Sequence, residues 1–209
     1  MKEKARNSGC DKGVSAIMAR QLDGRRVAFL ATDGVEEVEY TQPREAVEQA
    51  GARVDLVSIK PGRIQAMQHL DKSNTYQVDR TVDEGGPDDY DALVLPGGVA
   101  NPDFLRSDPR AVAFVKGFVD AGKPIGAICH GPWTLVEADA VRGRTLTSWP
   151  SLSTDIRNAG GTWVDEVVHT ENGLVTSRKP DDLPQFCKKI VEEFAEGQHL
   201  AGLTGGARR

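Results

Sequence analysis

The chemistry of this sequence is concentrated in K-P-I-G-A-I-C-H-G-P-W-T, residues 123–134, where a thiol, an imidazole and a glycine stand side by side. Residues 124–128 form a short apolar run that suits a buried strand, and from Gly131 the pattern turns helical, with Pro132 placed for a first helical turn. Cys129 would then sit where a strand ends and a helix begins. Backbone N–H groups and the positive end of the helix dipole both favour the thiolate there, which is the reactive form of cysteine. Gly131 removes a side chain where the turn is tight. This is the geometry of a nucleophile elbow with cysteine as the nucleophile. A free cysteine without such a setting is more often a small buried hydrophobe.

An elbow needs a scaffold that aims it at other groups, and the flanking sequence supplies one. Residues 25–32 read as a buried strand, and the following D-G-V-E-E-V-E-Y gathers carboxylates ahead of an apolar-periodic helix that runs to Ala50 and stops at Gly51. Residues 53–59 read as a second strand. Between 60 and 90, two short strand patterns at 63–66 and 76–78 lie among glycines and prolines and read as a small excursion. Residues 91–95 form a third core strand that breaks at Pro96-Gly97-Gly98, where backbone amides can turn into a pocket. Helical patterns cover 102–106 and 111–121. After the elbow come strands at 144–147, 167–170 and 174–177, and helices at 155–159 and 180–196.

Strands alternating with helices at this spacing predict a single α/β domain, a mostly parallel sheet sandwiched by helices in the flavodoxin-like manner. The domain is expected over 23–198, preceded by a polar, partly disordered extension at 1–22 and followed by a Gly-rich tail at 199–209. In such a sheet the loops at the carboxyl ends of the strands converge on one crevice, placing the elbow at that edge. Three loops then bring chemistry together: Glu36, Glu37 and Glu39 after the first strand, the Gly97-Gly98 break, and Cys129.

The formal net charge of −5 over 209 residues offers no basic face to nucleic acid or anionic lipid. No apolar run approaches the roughly 18 residues that span a bilayer. Cys10, Cys129 and Cys187 are odd in number and widely spaced, which suits a reducing cytoplasm. Neither a phosphate loop nor a metal-ligand spacing is present, so no cofactor and no metal are expected. His69, His169 and His199 read as surface or loop residues, and Cys187 as core.

A-I-C-H-G-P, G-V-E-E-V-E, L-P-G-G and P-D-F-L-R together resemble the motifs of the PfpI-type intracellular cysteine peptidases, in the DJ/PfpI branch of the class I glutamine-amidotransferase-like superfamily. R-G-R-x-L-T, N-A-G and V-T-S-R-x-P-D-D-L-P fit as well, so the resemblance covers about residues 26–194. It implies a cytoplasmic, stress-related cysteine hydrolase acting on carbonyl groups, whether peptide bonds, early glycation adducts or free methylglyoxal. It also implies a homodimer or higher homo-oligomer, because the acidic member of a Cys-His-acid site, here Asp103, comes from a neighbouring subunit in PfpI-type members.

Roles follow position by position. Cys129 is the candidate nucleophile. The resemblance implies that Glu39 is the acid touching the sulfur. Held there in an apolar pocket, it would have a raised pKa and donate a hydrogen bond as the neutral acid. The competing reading is a solvated helix-start carboxylate, which is the reading given to Glu36 and Glu37. The backbone N–H of His130 would form an oxyanion hole with that of Gly98, and its ring could act as general base. Asp103 would orient that ring, the competing reading being a helix N-cap. Gly97, Gly131 and Trp133 are expected at the pocket, with Trp133 the best placed of the three tryptophans to touch substrate. A non-catalytic alternative uses the same thiolate: a redox-sensing stress protein or holdase in which Cys129 is oxidised and held by Glu39.

Overall fold

Core strands that are apolar on both faces must be covered on both sides. In the computed structural model, which describes residues 21–198, β1 (Arg26–Leu30) is such a strand. Val27 and Phe29 face one hydrophobic layer, while Ala28 and Leu30 face the other. The remaining strands are β2 (Val35–Glu36), β3 (Arg53–Ser58), β4 (Arg63–Gln68), β5 (Asp71–Gln77), β6 (Arg80–Thr81), β7 (Ala92–Leu95), β8 (Ile125–Ile128), β9 (Thr145–Leu146), β10 (Thr162–Trp163), β11 (Val168–Glu171) and β12 (Leu174–Ser177). The helices are α1 (Glu37–Gln49), α2 (Ala100–Arg106), α3 (Pro109–Asp120), α4 (Pro132–Glu137), α5 (Ser153–Asn158) and α6 (Leu183–Glu196).

The main sheet runs β11-β12-β8-β7-β1-β3-β6. All of its neighbours are parallel except β11 with β12. One transverse row, Leu56–Phe29–Val94–Gly126–Val175, crosses its centre. From β1 the chain first moves outward to β3 and β6, then returns to add β7 on the opposite side. The loops after β1 and β7 therefore part company, opening the crevice that doubly wound sheets use for ligands.

The α/β architecture is as expected, and the differences lie at the edges. Leu22, assigned to the polar extension, is fully buried and its N–H donates to Ala50 O at 2.8 Å. The remainder of that extension, with Cys10, and the tail with His199 lie outside the described residues. The strand expected at 76–78 begins at Asp71 and pairs with β4 as a hairpin, which joins β2 in a separate three-stranded sheet. The two-residue β2 carries no periodicity, so no pattern announces this sheet. The last helix begins at Leu183, after a single 3-10 turn at Pro180–Asp182.

Gly126 marks where β8 and α6 approach most closely: a Cβ there would lie 2.7 Å from Ile190 Cγ2 and 3.2 Å from Phe186 Cζ. Gly126→Ala should overpack this contact and cost about 1–3 kcal/mol. The check is a lowered urea midpoint with an unchanged m value.

Candidate active site

The elbow is strained as well as sharp. Cys129 has φ +60, a left-handed conformation uncommon for a residue with a side chain. Hydrogen bonds on every side hold it there: Cys129 N donates to Ser177 O at 3.0 Å, Trp149 N donates to Cys129 O at 2.9 Å, and Gly131 N donates to Ile128 O at 2.9 Å. Gly131 is required by packing, since a Cβ would meet Leu95 O at 2.3 Å.

Glu39 enters from the first turn of α1 and is fully buried. Its Oε2 accepts from Gly97 N at 3.1 Å. Oε1 is buried without a well-aligned hydrogen bond. Gly97 makes the approach possible, because a Cβ at that position would lie 2.5 Å from Glu39 Oε2 and 2.7 Å from Cys129 Cβ. Gly98 adopts φ +80, and a Cβ there would sit 2.2 Å from Gly34 O. Two glycines thus let three loops meet at one sulfur. Asn101 locks them. Its Oδ1 accepts from Thr32 N at 2.8 Å, and its Nδ2 donates to Pro96 O and Gly97 O, both at 3.0 Å. Nothing in the sequence singled Asn101 out, because a polar residue before a proline reads as loop.

Burial pushes the Glu39 carboxyl up to about 8, a rise that contact with Cys129 moderates and the neighbouring Glu36 reinforces. Burial, then the charge of Glu39 facing it, pushes the Cys129 thiol up as well. That direction is opposite to the one the elbow alone suggested. The thiolate is favoured once Glu39 carries the proton, since repulsion then gives way to a donated hydrogen bond. The N–H groups of His130 and Gly98 act in the same sense on the sulfur. His130 is buried, its Nδ1 lies 3.2 Å from Cys129 Sγ, and burial lowers its pKa, so the ring is neutral at pH 7.

Among the described residues, a cavity of about 450 Å³ opens onto this group, lined by Glu36, Glu39, Gly98, Cys129 and His130 together with Met67, His69, Leu70, Val99 and Trp149. Gly97, Gly131 and Trp133 are not part of its wall. Trp133 turns the other way, donating from Nε1 to Asp155 Oδ2 at 2.8 Å with Arg106 over its ring. Trp149, 38% exposed, takes the place expected of it. Glu36 and Glu37 are not solvated helix-start carboxylates. Glu36 is buried and accepts from His69 N at 3.0 Å, while Glu37 is held down to about 2 by hydrogen bonds from Ser73, Tyr76 and Asn74. The hairpin that supplies these donors also carries His69 to the pocket. Asp103 is exposed on α2; its carbonyl accepts from Ser107 Oγ at 2.8 Å, and its carboxylate has no partner among the described residues. It is not an N-cap either, since the helix starts three residues earlier.

A more open cleft around Lys60, Phe104 and Arg110 holds the hydroxyls of Thr32 and Ser107 but neither a thiol nor an imidazole, and its cations are paired with Asp33, Asp83 and Asp108. No group of three or more His, Cys, Asp or Glu among the described residues could hold a metal ion.

The profile of the DJ-1/PfpI family matches residues 25–193. Protein/nucleic acid deglycase 2 of Escherichia coli K12 is 44% identical over 168 residues, covering 80% of this chain and 96% of that protein. General stress protein 18 of Bacillus subtilis is 40% identical over 169 residues, with the same two coverages. The solved structure of Schizosaccharomyces pombe DJ-1 superposes with a TM-score of 0.71 at 26% identity, covering 80% of this chain and 90% of that one.

The raised Glu39 pKa has a consequence for stability. The folded protein holds this proton to about pH 8, whereas the unfolded chain releases it near 4.5. The folded state therefore binds more protons between those values, and stability falls as pH rises through them, by roughly 1 kcal/mol per unit. Denaturation midpoints from pH 5 to 8 should show this slope in the wild type and lose it in Glu39→Gln.

Proposed function

The chain belongs to the DJ-1/PfpI family, and from that premise we propose that it is a cysteine-dependent hydrolase of carbonyl adducts, of the deglycase kind. The observation that carries this reading is the set of groups around one sulfur. A neutral imidazole nitrogen lies 3.2 Å from Cys129 Sγ, and a buried carboxyl is poised to be protonated beside it. The Cys129 thiolate adds to a carbonyl carbon, and the displaced electron pair collects on the oxygen facing the N–H groups of His130 and Gly98. The His130 ring and Glu39 carry protons to and from the adduct. With a glycated amine or thiol as substrate, a proton moves from the aldehyde-level carbon to the neighbouring carbonyl carbon, so that the first is oxidised as the second is reduced within the adduct. Water then releases the acyl group from Cys129, leaving the free amine or thiol and a 2-hydroxy acid. The cavity has room for such an adduct on a side chain or small molecule, which favours this chemistry over cleavage of an extended peptide. The oxidation-sensor reading has less support, because it needs only the thiolate and Glu39 and gives no task to the His130 ring 3.2 Å from the sulfur. The names of the Escherichia coli and Bacillus relatives support a role in carbonyl stress, and we place the protein in the cytoplasm on the same grounds.

We further infer that a second copy covers the face of α2. Val99 and Phe104 are 60% and 50% exposed beside Asp103, an apolar surface that a partner would bury. Asp103 would then reach the His130 ring of the neighbouring subunit.

Two measurements test these readings. Purified protein should turn over methylglyoxal and its hemithioacetals, and Cys129→Ser should abolish that turnover; equal rates in both would end the hydrolase reading. Asp103→Asn and Cys129→Ser, each impaired alone, should recover activity when unfolded and refolded together, because a mixed oligomer rebuilds one intact site. Impairment without recovery would end the cross-subunit role, and an unimpaired Asp103→Asn would place Asp103 outside the reaction.

A further inference from the structure

The His130 ring has one polar side-chain contact among the described residues, Nδ1 to Cys129 Sγ. One hydrogen bond does not fix an imidazole, whose second side-chain torsion is broad. Something else must hold the plane of the ring while Nδ1 stays on the sulfur.

Two indoles supply the restraint. Trp149 stacks on the ring with centroids 5.8 Å apart and planes 23° from parallel. Trp133 meets it edge-on at 5.4 Å and 64°. Trp133 is itself pinned by Asp155 and capped by Arg106. Trp149 is fixed differently: its backbone N–H donates to the carbonyl of Cys129 itself. The residue that stacks on the base therefore also ties down the strained peptide that carries the nucleophile. Pro150 follows at once and opens a 3-10 turn, which limits the freedom of the Trp149 backbone.

We propose that Trp149 is a positioning residue for the reaction, the plate that holds the His130 ring in its proton-transfer orientation toward Cys129. The assignment rests on the hydrolase reading for its link to turnover and on geometry alone for its effect on the ring. Trp149 and Trp133 form a corner that sets the ring plane and leaves the second nitrogen free. The corner also excludes water from one face of the imidazole, consistent with the depressed basicity of His130, for which burial is the cause. The titratable and charged groups around the ring among the described residues are the Cys129 thiol at 3.2 Å, Glu36, Glu39 and His69 in the pocket, and Asp155, Arg106 and Glu137 behind Trp133. Trp149→Ala leaves all of them in place, so its effect isolates the plate.

The experiment follows the wild type, Trp149→Ala and Trp149→Phe by NMR titration of the His130 ring, by the pH dependence of Cys129 alkylation, and by turnover of methylglyoxal hemithioacetals. In Trp149→Ala the His130 pKa should rise toward its ordinary value, and the acid limb of the rate profile should rise with it. Turnover should fall on the order of tenfold to a hundredfold in kcat with KM little changed, the scale of a misplaced catalytic group. Trp149→Phe keeps a flat ring and should restore both. A Trp149→Ala protein with an unchanged His130 titration, or with KM raised at constant kcat, would make Trp149 a pocket wall and overturn the proposal. Failure of phenylalanine to rescue would do the same. Should the wild type turn over no carbonyl substrate, the hydrolase reading fails by itself. The titration and alkylation profiles then decide the plate, with no change in Trp149→Ala counting against it.

Discussion

Much of this molecule depends on bringing a buried carboxyl against a buried thiol. Neither group is comfortable without water, and both are pushed toward their neutral forms by burial. The arrangement survives because surrounding loops leave no alternative. Gly97 has no side chain to keep Glu39 and Cys129 apart, and Gly98 adopts a backbone conformation that permits contact with the loop after β1. Asn101 ties that loop to the break after β7. The positive φ of Cys129 is strain held in place by hydrogen bonds from β12 and from Trp149.

The proton between Glu39 and Cys129 then becomes the variable that matters. With Glu39 ionised, its charge opposes a thiolate; with Glu39 protonated, it stabilises one. A buried acid near pH 8 keeps its proton through the neutral range, and so turns a repulsive neighbour into a donor. The elbow's amides assist but do not suffice, since the thiol is pushed up despite them. His130, neutral through burial, can take the thiol proton without competing for the charge on Glu39.

How much of this could be read from the residues depended on whether the determining contact was local. The elbow was legible because strand, nucleophile, glycine and proline are consecutive, and the sheet was legible because its strands are apolar without interruption. The α/β pattern brought the loop of Glu36, Glu37 and Glu39 to Cys129 by the convergence of strand ends, and the family resemblance, not the pattern, chose Glu39 among them. What failed was set by contacts distant in sequence. Glu36 and Glu37 looked like helix-start acids until the β4–β5 hairpin supplied partners for them. His69 reached the pocket by the same route. Trp133 stood beside the elbow in sequence and Trp149 lay 20 residues past Cys129, yet the hydrogen bond from Trp133 to Asp155 turned the nearer indole out of the cavity. Asn101 was invisible for a related reason: its three hydrogen bonds join segments separated by up to 69 positions.

If the proposed hydrolase activity holds, the division between floor and rim of the pocket bears on how one site would serve different carbonyl compounds. The reacting groups lie at the floor, on strand ends and a strained elbow, where a small displacement would separate the sulfur from its proton carriers. The rim is built from the hairpin tip at Met67, His69 and Leu70 and from Val99, all outside the main sheet. Leu70 is 93% exposed, so no packing among the described residues fixes its choice of side chain. Changes there can alter which adduct enters while the sheet, the glycines and Asn101 stay as they are. On the proposed activity, selectivity among carbonyl substrates would belong to the hairpin and to whatever covers it, and the chemistry to the floor.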